Sequence, residues 1–120
     1  MKLLLATCVV AGVACASAGA VDYSVSAQID YENGQKALDR RDWMAAASYF
    51  SFIERLFPYS KYAWLAELGM ADVELGTEHY LEAVKAYRAF IQLHPTHELV
   101  TSGYVSFRMG EAYARSQCAH

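Results

Sequence analysis

The 120-residue sequence predicts an all-α fold: a solenoid of antiparallel helix pairs, about two and a half repeats long, behind an N-terminal leader. Three observations carry this. Phe57-Pro58-Tyr59-Ser60 separates two helical patterns, and Pro58 cannot continue a helix, because its ring clashes with the preceding turn and it has no N–H. The same break returns 37 residues later at Leu93-His94-Pro95-Thr96-His97. Between the breaks, apolar residues recur at spacings of three and four, which is one face of an amphipathic helix.

The leader comes first. Met1-Lys2 is a short positive start, Leu3 to Ala14 is apolar, and Cys15-Ala16-Ser17-Ala18-Gly19-Ala20 is small except for the thiol. This is the pattern of a bacterial secretory signal over residues 1–20, and its apolar run is too short to span a bilayer. Two processing routes fit. Ala16-x-Ala18 and Ala18-x-Ala20 suit ordinary cleavage, which leaves a soluble periplasmic chain. Gly12-Val13-Ala14-Cys15 has the small residue that lipidation at Cys15 needs at −1 but not the usual large apolar residue at −3, and that route would anchor the chain to a membrane. Either route leaves Cys118 as the one thiol of the mature chain, so there is no disulfide framework.

Residues 21–27 are small and polar and read as a tether. From Gln28 the helical period begins: Ile29, Tyr31, Gly34, Ala37 and Leu38 give a helix to about Arg41, closed by the charged turn Arg40-Arg41-Asp42. Trp43, Ala46, Ala47, Phe50, Ile53 and Phe57 mark the second helix. Ser60 is a candidate N-cap for a third, Tyr62 to Leu75, because its hydroxyl can accept from a free first-turn N–H. Gly76-Thr77-Glu78 is the turn after it, with Gly76 at the expected C-terminal position. Tyr80, Ala83, Val84, Tyr87, Phe90 and Ile91 mark the fourth. After Pro95, with Thr96 as a candidate cap, a fifth helix is expected from about Thr101 to Arg115.

With the two prolines aligned, Trp43 falls on Tyr80, Ala46 on Ala83, Phe50 on Tyr87, Ile53 on Phe90 and Leu56 on Leu93. A small Ala, an aromatic four later and a Pro eight after that match the tetratricopeptide (TPR) pattern. The Ala lets the helices of a pair approach, the aromatic fills the space beside it, and the Pro ends the unit. Met109-Gly110-Glu111-Ala112-Tyr113 resembles the Leu-Gly-x-x-Tyr of a TPR first helix. The organisation is a first repeat over 28–61, a second over 62–98, and the first helix of an incomplete third over 99–120. Phe107, Met109 and Tyr113 on that last helix would face nothing, so the chain is either a fragment of a longer protein, the preferred reading, or completes itself on another molecule.

Composition bounds the function. Hydrophobic residues are 55% of the chain, enough to bury a core in one small domain. Net charge is −3, and −4 without Lys2, which argues against nucleic acid. Nine tyrosines and five phenylalanines suit packing between helices and contacts with protein partners. No Gly-rich phosphate loop, nucleophile elbow or paired carboxylates appear, so neither an enzyme nor a cofactor is expected. His94 and His97 straddle a helix stop without a third ligand, so they read as turn residues, and no metal is expected.

Asp42-Trp43-x-x-Ala46, Phe57-Pro58-Tyr59-Ser60-x-Tyr62, and Tyr80-x-x-Ala83-x-x-Ala86-Tyr87-x-x-Phe90-Ile91-x-Leu93-His94-Pro95-Thr96-His97 together resemble the N-terminal half of BamD. That family is the TPR lipoprotein subunit of the machine that assembles outer-membrane β-barrels in Gram-negative bacteria. The resemblance spans roughly Tyr31 to Tyr113. Glu98 departs from it, since the family usually has Pro there, and the lipobox is poor. The later repeats that dock to the central barrel subunit are absent. The resemblance implies a binding module for unfolded outer-membrane proteins, with other assembly-machine subunits as partners and a place on the periplasmic face of the outer membrane. The alternative is another periplasmic TPR protein, such as a cell-division coordinator, that binds a folded partner.

A TPR array takes extended peptides on the concave face lined by the first helix of each pair. Counting back from the aligned Pro, or out from Gly110, places Tyr31, Gln35, Leu68, Asp72, Tyr104, Phe107, Glu111 and Arg115 on that face. This surface is aromatic and apolar with a few polar ends. For Leu68 and Phe107, packing between repeats is the competing reading.

Overall fold

The computed structural model describes residues 11–119, with side chains from residue 22 onward. Six helices follow one another: α1 Ala11–Asp39, α2 Trp43–Leu56, α3 Lys61–Gly76, α4 Tyr80–Leu93, α5 Glu98–Thr101 and α6 Tyr104–Cys118. There is no strand among the described residues. Each helix packs on its neighbour in the chain, except that α4 packs on α6 across the short α5, and α1 also reaches α3. With connections of three or four residues, packed neighbours run antiparallel. This is a TPR-like helical repeat fold.

The repeat is visible bond by bond at the connections. Phe57 N–H donates to Ile53, Ser60 to Phe57 and Ala63 to Ser60, and 37 residues on His94 donates to Phe90, His97 to His94 and Val100 to His97. The turns within the pairs match too. Arg41 donates to Leu38 and Asp42 to Ala37, while Glu78 donates to Leu75 and His79 to Glu74. These paired bonds close the helix ends as Schellman motifs, which need a left-handed residue after the C-cap. Arg41 (φ 59°) and Glu78 (φ 67°) supply it.

Two buried clusters meet at α3. Ala37, Ala46, Phe50, Ile53, Ala66 and Val73 fill the first pair and its contact with α3. Leu68, Leu75, Ala83, Tyr87, Phe90 and Val105 fill the second. The residues paired by the proline alignment share their burial: Ala46 and Ala83, Phe50 and Tyr87, and Ile53 and Phe90 are all buried. Leu56 and Leu93 match as well, but both are exposed, because they lie at the ends of their helices. Phe50 is the tightest of these residues: a Cβ on Gly34 or on Gly69 would stand 2.5 Å from its ring.

Several expectations are corrected. Residues 21–27 do not form an extended tether but continue α1, where Ala27 is buried and the Tyr23 ring packs edge-on against Phe57 at 4.9 Å. Residues 1–10 of the expected leader lie outside the described residues, and so does the side chain of Cys15. Ser60 stands at the N-cap of α3 but turns its hydroxyl back to the Phe57 carbonyl, so it caps nothing. His97, not Thr96, caps α5, its Nδ1 accepting from Leu99 N–H at 3.1 Å. Gly76 is the last residue of α3, and the left-handed residue of the turn is Glu78. Gly76 is needed for a different reason, since a Cβ there would run into the Trp43 ring. The fifth helix is two, because Gly103 adopts φ 84° and splits α5 from α6. Of the three residues expected to face nothing, Met109 packs on the second cluster, while Phe107 and Tyr113 are exposed.

Candidate functional site

The eight residues expected on the concave face come from α1, α3 and α6, and seven of them line two adjoining cavities. One cavity, about 200 Å³, has Tyr31 and Gln35 of α1, Leu68 and Asp72 of α3, and Tyr104 of α6 in its walls, with Leu65 and Leu99 completing its apolar lining. The other, about 290 Å³, has Gln35, Asp72, Glu111 and Arg115, joined by Asp39, Trp43 and Arg108. Gln35 and Asp72 line both. They are also 37 residues apart, so one position of the repeat forms the seam between an aromatic half and a charged half. Phe107 stands apart: it is 70% exposed and lines neither cavity. Leu68 is 6% exposed, and most of its surface belongs to the core.

Each wall has a local cause. Tyr31 lies on α1, its ring 5.5 Å from Tyr62 and 6.1 Å from Phe50, and its hydroxyl accepts from Gln35 Nε2 at 3.0 Å. Burial, then Asp72 and then Tyr104, push its hydroxyl to titrate above the ordinary range. Asp72 accepts at one oxygen from both the Tyr87 hydroxyl and Arg108 Nη2, the latter at 3.1 Å. Arg108 Nη1 also donates to Glu111 Oε2 at 2.8 Å, and Arg115 Nη2 donates to the other Glu111 oxygen at 2.7 Å. The charged half is thus a chain of alternating sign, Asp72–Arg108–Glu111–Arg115.

Burial opposes the charge on Arg108, but Asp72, with the phenol oxygens of Tyr87 and Tyr104, outweighs it and holds the guanidinium above its ordinary pKa. Burial, then Asp72, keep the Tyr87 hydroxyl protonated well above the usual tyrosine range. Arg108 Nε is buried without a partner.

Arg108 and Tyr87 are the residues that reading the sequence missed. A signal existed for each. Arg108 stands three before Glu111, within ion-pair reach on a helix. Tyr87 replaces the Phe50 of the first repeat by adding one hydroxyl, and a buried hydroxyl needs a partner. His94 also bonds further than expected: its Nε2 lies 3.0 Å from Glu67 Oε2 on α3. Among the described residues, no three His, Cys, Asp or Glu side chains gather as metal ligands would. What the two cavities offer is apolar contact beside fixed hydrogen-bonding groups, which is the chemistry of recognition.

A family model described as YfiO, outer membrane lipoprotein, matches residues 24–117. The chain belongs to that family. The YfiO match runs from α1 into α6, across both proline junctions and the seven expected positions that line the cavities, and it agrees with the BamD-like resemblance of the sequence. No curated protein and no solved structure matches the chain. Family membership associates the chain with the outer membrane and with assembly there. Among the described residues, no helix is long and apolar enough to cross a membrane.

Proposed function

We propose that this chain is a non-catalytic binding module of the outer-membrane β-barrel assembly machinery, and that its groove takes extended segments of unfolded outer-membrane proteins. One observation carries the reading: residues from three successive first helices line two cavities that share Gln35 and Asp72. An extended strand spaces same-side residues about 7 Å apart, so one segment can set an aromatic side chain beside Tyr31 and Tyr104 and the next same-side residue beside Asp72 and Arg108. Barrel strands alternate apolar and polar residues and are rich in aromatics at their ends, which suits the two halves. Lipidation at Cys15 would hold the module at the periplasmic face, where other subunits of the machine are its partners.

The test is titration with peptides copied from the last strand of a β-barrel. Saturable binding, weakened about tenfold by Tyr31→Ala with Tyr104→Ala and unchanged by Phe107→Ala, is the expected result. Absence of saturable binding, or binding that the double substitution leaves intact, rejects the groove. Intact mass of the protein from Gram-negative membranes, with and without Cys15→Ala, tests the anchor. A chain that starts at Cys15 and carries acyl groups supports it, and a chain that starts after Ala18 or Ala20 rejects it.

A further inference from the structure

We propose that the cleft at the two proline junctions is a second docking site, for an extended, acidic, proline-containing segment of a partner protein. It is separate from the groove and does not depend on it. The cleft is an open depression of about 580 Å³ lined by Pro58, Tyr59, Ser60, Lys61, Trp64 and His97.

The walls are aromatic, and the junction backbone and the Trp64 indole are held in place. Tyr59 is 96% exposed, and its backbone N–H reaches the Tyr23 hydroxyl of α1 at 3.4 Å, which ties the junction to the body of the fold. Trp64 is 48% exposed. One face of its indole lies on the His94 ring, with centroids 4.1 Å apart and planes 30° apart. His94 is in turn held by Glu67 and by the Phe90 ring at 4.6 Å. The His97 ring stands 6.0 Å from Trp64, and its Nδ1 is engaged by Leu99 N–H. A ligand would therefore meet a fixed indole and a fixed junction backbone, and would spend ordering entropy on the exposed Tyr59 and Lys61 side chains. Exposed Trp and Tyr side chains on a fixed backbone are the composition of interface hot spots.

The charge selects the occupant. Lys61 is the one lysine or arginine in the lining, and no carboxylate lines the cleft. Lys61 forms no ion pair among the described residues, and its Nζ lies 5.2 Å from the Tyr62 ring. Glu67, one turn beyond Trp64, is committed to His94. A cationic segment would find no partner here, whereas a carboxylate would find Lys61. Tyr59 and Trp64 both line the cleft and both expose aromatic surface on which a flat apolar ring can stack, and proline supplies one on a backbone that is extended before it binds.

The experiment titrates the full chain with a blocked octapeptide of alternating glutamate and proline, following tryptophan fluorescence. The expected result is a saturable change, weakened about tenfold or more by Lys61→Glu, by Tyr59→Ala and by replacing each proline of the peptide with serine. The groove substitution Tyr104→Ala should leave it unchanged. Trp64→Phe should remove the optical signal while calorimetry still detects binding. Lys61 and Tyr59 are exposed, so their variants test the site in a folded chain. No saturable binding to the wild-type chain, equal binding of a lysine–proline octapeptide, or indifference to Lys61→Glu would each overturn the proposal. So would self-association of the wild-type chain that Tyr59→Ala abolishes, since the cleft would then belong to a second copy.

Discussion

Arg108 Nη2 donates to Asp72 Oδ1 at 3.1 Å, and this bond ties α6 to α3 across 36 residues of chain. The same carboxylate accepts from Tyr87 of α4, so three helices meet at one oxygen. The pair is three-quarters or more covered, which makes its loss costly. Arg108→Met should lower stability by about 1–3 kcal/mol, because it leaves Asp72 and Glu111 without the cation they share. Asp72→Asn should cost less in the Arg108→Met background than alone, with a coupling of about 0.5–3 kcal/mol. Urea unfolding of the four chains measures both, and additive losses would mean that the bond contributes nothing.

Three glycines should respond in opposite directions. Gly34→Ala and Gly69→Ala each drive a methyl into the Phe50 ring, which is buried between them and has nowhere to move. Each should cost about 1–3 kcal/mol from overpacking. Gly110→Ala meets nothing within 4 Å in mid-helix, and should stabilise by up to about 1 kcal/mol from helix propensity. Thermal unfolding of the three variants decides this, and a stable Gly69→Ala would contradict the packing.

Leu68 and Phe107 are both apolar and were both expected on the concave face, yet they should separate in stability. Leu68→Ala removes a side chain from the core and should cost about 2–5 kcal/mol. Phe107→Ser changes an exposed position and should stay within about 0.5 kcal/mol. Chemical denaturation of the two variants reads the difference directly.

Glu54 makes stability depend on pH in a definite sense. Desolvation, and then Glu67, raise its pKa above the ordinary 4.5. A carboxyl whose pKa is higher in the folded state favours folding below its unfolded pKa, and that contribution is lost as pH rises through the folded value. Glu54→Gln should therefore raise the melting temperature at neutral pH and lose that advantage below pH 4.5. Melting curves at the two ends check it, and an advantage that persists in acid would point to another cause.

The fold was legible because its signals are local. Pro58 and Pro95 punctuate the chain, and Ala46, Phe50, Ile53 and their counterparts carry the period that buries them. The details that escaped depend on partners distant in sequence. Ser60 looks like a cap, but the Phe57 carbonyl competes for its hydroxyl. Gly76 looks like a turn residue, but it is the seat of Trp43. Residues 21–27 look too polar to pack, but Tyr23 and Ala27 suffice to lay them against the first pair. For the candidate site, helical spacing picked out seven positions that line the cavities, and Phe107, which lines neither. It did not find Arg108, whose local spacing to Glu111 says nothing of its longer-range bond to Asp72.

The turns at Arg41 and Glu78 bear on how this architecture is written. A left-handed residue after the C-cap is ordinarily glycine, and an arginine or a glutamate there costs about 1–2 kcal/mol. Both turns nevertheless make the same backbone bonds at the same offset, although the side chains of Arg41 and Glu78 carry opposite charge. What is duplicated is therefore a backbone path and not a string of letters. The two connectors, 40–42 and 77–79, act as one interchangeable part: either could be spliced into the place of the other, and the path between the helices would be unchanged.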